Sequence, residues 1–331
     1  MSYINKISNI AQLGGIETSV LDNGPANGNR IAWFNTGTGL RFKVMIDRAM
    51  DIADTVYKQH NTAWISHLGV TSPQPFSNRG NDWIKTFGGG LMVTCGLDHV
   101  GAAEVDETGE RGMHGPISQC PAEIESIIQP DFRTGKMEMS LTGRMKQSQP
   151  LGPQLELKRT ISARIGESVI RIHDVVSNCG NTASPHMILY HFNFGWPLLD
   201  ERTEVFWNDP YAYRCPPPLP EHRGNGEEVQ FVDIQPGESG LCRAGLYNPG
   251  IDLELSLQFR KDQLPWLTNW RHWGEGEYVM GLEPGTNPPI GQARAGADHQ
   301  LIFLQPGESR EYHLEVHFAE KSSISNHQSS F

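Results

Sequence analysis

Long apolar runs are missing from this 331-residue chain: no stretch approaches the ~18 residues that a membrane-spanning helix needs. Runs of Lys and Arg are missing too. With 27 basic against 38 acidic residues the net charge is −11, which argues against a phosphate-tracking nucleic-acid binder and favours a neutral or cationic small molecule. The five cysteines are odd in number, far apart and contain no C-x-x-C pair, so a disulfide framework or cysteine zinc site is not expected. Cys95 has no neighbour that would lower its pKa and is read as a buried thiol rather than a nucleophile. There is no Gly-x-Ser-x-Gly elbow, no phosphate loop ending in Gly-Lys, and no Gly-x-Gly-x-x-Gly ahead of a helix. The opening Met-Ser-Tyr-Ile-Asn-Lys-Ile-Ser lacks the basic-then-apolar layout of a secretory signal, so a soluble cytoplasmic protein is expected.

Helical periodicity is also absent: no segment keeps a 3.6-residue apolar stripe for three turns, and no repeat of 20–50 residues is evident. What is present is alternation. Leu155, Leu157, Ile161, Ala163 and Ile165 share one parity, interrupted by Arg159; Gly166-Glu167-Ser168 can turn the chain; Ile170, Ile172 and Val176 resume the pattern, which predicts a hairpin. Further strands are expected at 42–46, 137–145, 186–194, 278–283, 301–304 and 312–318. Gly88-Gly89-Gly90 precedes the strand-like Leu91-Met92-Val93, which suggests close backbone approach or a bulge rather than a phosphate cradle. Residues 208–226, rich in proline, read as a long loop over the surface or over a cleft. The chain is therefore expected to form a single all-β domain over 1–331, a sandwich of antiparallel sheets with its core about 39–318 and peripheral termini.

Thirteen histidines supply the first chemical candidates. His99 and His114 stand beside glycines in expected loops. His191 and Asn193 share one face of a strand, with Tyr190, Phe192 and Phe194 on the other. Spacing alone leaves His191 either a satisfied core histidine or a functional one. His313, Glu315 and His317 form a face that reads as the solvated side of an edge or outer strand. Glu283 ends the apolar run Val279-Met280-Gly281-Leu282 just before Pro284-Gly285. It is either a desolvated carboxylate with a shifted pKa or a strand-end carboxylate facing water.

In order along the chain, His114-Gly115, Leu189-Tyr190-His191-Phe192-Asn193-Phe194, Gly281-Leu282-Glu283-Pro284 and Leu304-Gln305-Pro306-Gly307-Glu308-Ser309 resemble the marks of aldose 1-epimerases, the galactose mutarotases. Arg48-Ala49-Met50-Asp51-Ile52, Trp64-Ile65-Ser66 and residues 89–99 are closer to an incompletely characterised mutarotase-like branch. The resemblance spans residues 39–318 and implies a galactose-mutarotase-like β-sandwich with a sugar cleft on a concave sheet. By motif position it makes Glu283 the catalytic base, His191 the catalytic acid and His114 a second histidine at the ring oxygen. Arg79, after Asn78, matches a hydroxyl-binding arginine. His99, Asn193 and Arg48 are expected near the substrate, and Asp209 is the candidate for the family's sugar-binding aspartate in a segment shorter than is typical.

No cofactor or metal is implied, and the expected partner is a carbohydrate; edge strands alone specify no oligomer. These residue types permit anomer exchange, with a Glu283 carboxylate taking the C1 hydroxyl proton and a His191 imidazolium giving one to the ring oxygen. Trp196, Trp207, Trp270 or Trp273 could stack on a sugar face. Two rivals remain at the level of sequence: a metal-dependent sugar isomerase, epimerase or lyase built on His99, His114, His191 and Glu283, and a non-catalytic sugar-binding sandwich.

Overall fold

The computed structural model describes residues 6–74, 78–107, 109–207 and 211–321. Alternation decides the architecture. In Gln154–Arg164 every second side chain is buried, as the pleat requires when one face meets a core and the other meets water. That strand pairs antiparallel with Val169–Asn178 across the expected Gly166-Glu167-Ser168 turn. It belongs to a nine-stranded outer sheet in the spatial order 211–214, 204–207, 241–248, 253–260, 309–319, 169–178, 154–164, 138–148 and 123–128.

The second, inner sheet runs in space 15–20, 30–35, 40–45, 51–57, 92–97, 184–194, 278–285, 266–273 and 228–232, with two short strands off this path. The main core lies between the sheets: Phe34, Phe42, Tyr190, Phe192 and Phe194 meet Leu141, Leu157, Ile172, Leu257 and Val316. The inner sheet is unusual in also being covered at its centre on the far side. There Val93, Cys95, Met187 and Leu189 pack under Trp83, Val100 and Ala295. Strand Ser184–Phe194 is therefore buried on both faces over nearly its whole length.

One group inside the core is charged. Arg159, the residue that breaks the alternation, is fully buried and forks onto Asp174, with Nε–Oδ1 at 2.9 Å and Nη2–Oδ2 at 2.6 Å. Its remaining nitrogen donates to Thr94 Oγ1, the Ala49 carbonyl and, at 3.3 Å, Asp51. The Tyr190 hydroxyl donates to Asp174 at 2.8 Å. Arg159 and Asp174 sit on the outer sheet, and Asp51, Thr94 and Tyr190 on the inner one, so this network ties the two sheets together.

Two expectations are corrected. Strand Tyr278–Gly285 runs through Pro284, so Glu283 lies inside a strand rather than at its end. The described part of the 208–226 segment contains strand Tyr211–Arg214 and a helical turn at Pro220–His222, and within it Gly224 and Asn225 reach a cleft. Among the described residues no helix is long and apolar enough to cross a membrane.

Removing one member of a buried ion pair leaves an uncompensated charge, typically at a cost of about 3–5 kcal/mol. Asp174→Asn is expected to lower the free energy of unfolding by that order in urea titration, whereas Glu156→Gln on the solvent face of the neighbouring strand is expected to change it by less than about 1 kcal/mol.

Candidate active site

The inner sheet brings the candidate residues together by register. Leu189 pairs with Gly285 and Phe192 with Leu282, so His191 falls opposite Glu283. On one flank His191 pairs with Val93; on the other Glu283 pairs with Thr268, and Thr268 with Phe231. A single row of side chains thus crosses five strands, and its centre is an imidazole beside a carboxyl, His191 Nε2 to Glu283 Oε1 at 3.3 Å. Gly281 precedes Glu283 on the same face, and a Cβ there would lie 2.5 Å from Oε1, so the glycine leaves the space that the carboxyl fills.

His114 arrives from a loop. It adopts φ 55, held by its own N–H to the Gly101 carbonyl and by its carbonyl receiving the Gly96 N–H, both at 2.9 Å. Gly115 must follow, because a Cβ there would sit 2.2 Å from the Gly96 carbonyl. The His114 ring stands edge-on to His191, with centroids 6.2 Å apart. Trp83, Phe87 and Trp270 wall the pair, with ring centroids 5.3–6.0 Å from His191.

The walls exclude water, and the charges respond. Burial pushes the Glu283 carboxyl well above the usual range, aided by the nearby Glu227 carboxylate. Burial lowers His191 to about 4, and burial together with the neighbouring His191 lowers His114 to about 3. Both shifts favour the uncharged forms, a carboxylic acid beside a neutral imidazole, opposite in direction to the carboxylate and imidazolium expected from residue type alone. Glu283 Oε1 and the Nδ1 atoms of His114 and His191 are buried without hydrogen-bond partners, which leaves them available to a ligand.

These groups open into a cleft of about 630 Å³, within the roughly 300–1,000 Å³ of small-molecule sites. Its other walls include Trp64, Asn81, Asn225, Glu227, Thr268 and His272, and none of the described lining residues is Lys or Arg. Glu227 accepts a 2.7 Å hydrogen bond from the Trp270 indole. Of the tryptophans considered for stacking, Trp270 lines the cleft, Trp273 is buried in the main core, Trp207 packs against it and Trp196 is exposed.

Four residues expected at the substrate do not line the cleft. Arg48 is buried behind the wall, donating to Thr71, Gln119 and the Thr86 carbonyl. Asn193 lies beneath it, donating to the carbonyls of Gly90 and His191. His99 has both ring nitrogens engaged, Nε2 with the Ala102 carbonyl of its own loop and Nδ1 with the N–H of Gln292, so the His99–His114–His191–Glu283 metal tetrad is not assembled. Arg79 is exposed just ahead of the helical turn Asp82–Thr86. Asp209 lies outside the described residues. Trp83, Glu227 and Thr268 went unnoticed in the sequence, and Trp64 was marked only as part of a motif; the alternation of Trp266, Thr268, Trp270 and His272 could have marked a strand face.

Solved structures share this architecture. A protein from Klebsiella pneumoniae, provisionally named an aldose 1-epimerase, is 22% identical with a TM-score of 0.83, over 96% of this chain and 88% of its own. A galactose mutarotase-like protein from Clostridium acetobutylicum is 11% identical with a TM-score of 0.63, over 92% and 98%. The galactose 1-epimerase of Lactobacillus acidophilus is 10% identical with a TM-score of 0.58, over 92% and 98%. No curated protein matches the sequence. The fold is thus the galactose-mutarotase-like β-sandwich. The family model for a domain of unknown function, DUF4432, matches residues 26–318, and the chain belongs to that family.

Proposed function

We propose that the protein is an aldose 1-epimerase-type isomerase that interconverts the anomers of a free sugar by opening and reclosing its ring. The observation that carries this reading is the His191–Glu283 pair, 3.3 Å apart, almost wholly buried and lining a cleft of ligand size. Similarity to solved mutarotase-like structures supports it.

The reaction needs one proton taken from the C1 hydroxyl and one given to the ring oxygen, with no net change. A pair that holds a single proton between two groups is suited to that count. The unpartnered Oε1 of Glu283 receives a sugar hydroxyl, and this hydrogen bond favours the carboxylate, so the resting proton moves to His191. Glu283 then takes the C1 hydroxyl proton and the C1–O bond of the ring breaks, its electron pair going to the ring oxygen. His191 protonates that oxygen and the open aldehyde forms. Rotation about C1–C2 and reversal of each transfer give the other anomer. His114, kept neutral, donates a hydrogen bond to the ring oxygen or a neighbouring hydroxyl, and Trp83 and Trp270 hold the sugar's apolar face.

Glu283→Gln and His191→Asn are each expected to lower kcat for anomer exchange by about 10²–10⁴-fold, measured by NMR exchange between anomers across a panel of neutral sugars. Activity retained in both variants, or no acceleration over buffer for any sugar, refutes the proposal.

The working pH window follows from the same pair. Below about 4 His191 takes up a second proton, and kcat/KM falls on the acid side. On the alkaline side kcat/KM falls only where the raised Glu283 pKa is passed, well above the ordinary carboxyl range. A profile that rises with pH through the ordinary range of an exposed histidine, about 6.5, contradicts this assignment.

A further inference from the structure

The expected solvated face of the last long strand carries chemistry that the cleft does not use. Strand Ser309–Ala319 lies in the outer sheet between Leu253–Arg260 and Val169–Asn178, at the seam joining the 204–260 strands to the 123–178 strands. Across that seam His313 pairs with His173, and their rings stack at 4.3 Å, inclined by 9°. Glu311, two residues before His313 and so on the same face, places Oε2 3.6 Å from Nε2 of each histidine. His317, the other histidine of that face, turns instead to Glu315 at 2.8 Å.

We propose that His173, Glu311 and His313 form a surface site for a divalent transition-metal ion of the zinc class. The donor types are those of zinc, imidazole nitrogen and carboxylate oxygen, and all three donor atoms lie within 4.8 Å of one another. Zn–N and Zn–O bonds of about 2.0–2.1 Å set the edge of a tetrahedron at about 3.3 Å. Both nitrogen-to-oxygen spacings of 3.6 Å are already close to that edge; rotation of the exposed rings out of their parallel stack is what turns both lone pairs toward one ion. Nε2 of His173 is shielded from solvent and has no hydrogen-bond partner, which an arriving ion would supply. Nearby cations do not compete for the carboxylate: Arg171 is held by Glu167 and Glu315, and Lys158 by Glu125. Three protein ligands leave a fourth position to water, and the ion would clamp the two strands across the seam.

The full-length protein, freed of metal by chelator and dialysis, is titrated with Zn2+ against a chromophoric zinc indicator, and its thermal unfolding is followed in parallel. One Zn2+ per chain and a rise in the unfolding midpoint are expected. His173→Ala and His313→Ala are each expected to abolish both effects, and Glu311→Gln to weaken binding by tenfold or more. All three positions are partly or largely exposed, so folding should survive; circular dichroism and the metal-free midpoint check this. Absence of stoichiometric zinc in the unaltered protein overturns the proposal. So does zinc that persists in both histidine variants and disappears in His191→Asn, which would place the ion in the cleft.

Discussion

A guanidinium buried between two sheets sets the terms for everything else in this molecule. Arg159 meets a bidentate carboxylate on its own sheet, a carboxylate and a hydroxyl on the other, and the Ala49 carbonyl in the turn before strand Asp51–Tyr57. Alone, each ion would cost several kcal/mol to desolvate; together, with Tyr190 giving Asp174 a third hydrogen bond, Arg159 and Asp174 compensate each other. Asp51 records how dry the place is: burial raises its carboxyl to about 6 despite the neighbouring arginine. The network also fixes register. Tyr190 points to Asp174, so its neighbour His191 must point to the opposite face, and a one-residue slip of that strand would exchange the two. Core electrostatics thereby determine which side of the inner sheet holds the His191 imidazole.

Much of this architecture was legible beforehand. Period-two alternation marked the long strands because each has a dry face and a wet one, and the 154–178 hairpin followed from pattern and turn together. Strand Trp266–Trp273 escaped because its core-facing parity includes Asn269 and Arg271, which blur the alternation. Arg159 was visible as a break in a pattern. Its meaning was not, since Asp51 lies more than a hundred residues earlier and pairs with it only once two sheets face each other.

The site divides along the same line. Short motifs singled out Glu283, His191 and His114, but nothing in a one-dimensional string says that residues 191 and 283 are cross-strand neighbours; that is a property of sheet order. Nor could residue type foretell the proton distribution, which depends on aromatic walls gathered from distant loops. Trp64 shows how such a wall is placed: Gly89 and Gly195 have no side chains, and a Cβ on either would lie within 3.0 Å of the Trp64 backbone. Arg48, Asn193 and His99 stand near enough to the cleft to be mistaken for ligand contacts, yet each spends its donors on backbone or neighbouring side chains, holding the walls rather than facing the guest.

The described walls of the cleft carry Glu227, Glu277 and Glu283 but no lysine or arginine. Glu227 and Glu277, both exposed, give the entrance a negative potential, in a chain whose net charge is already −11. An anionic molecule would approach against that field and find no Lys or Arg among the described lining residues, while an uncharged one would pass unaffected. The entrance is in effect an electrostatic filter, one that added salt would relax by shortening its reach.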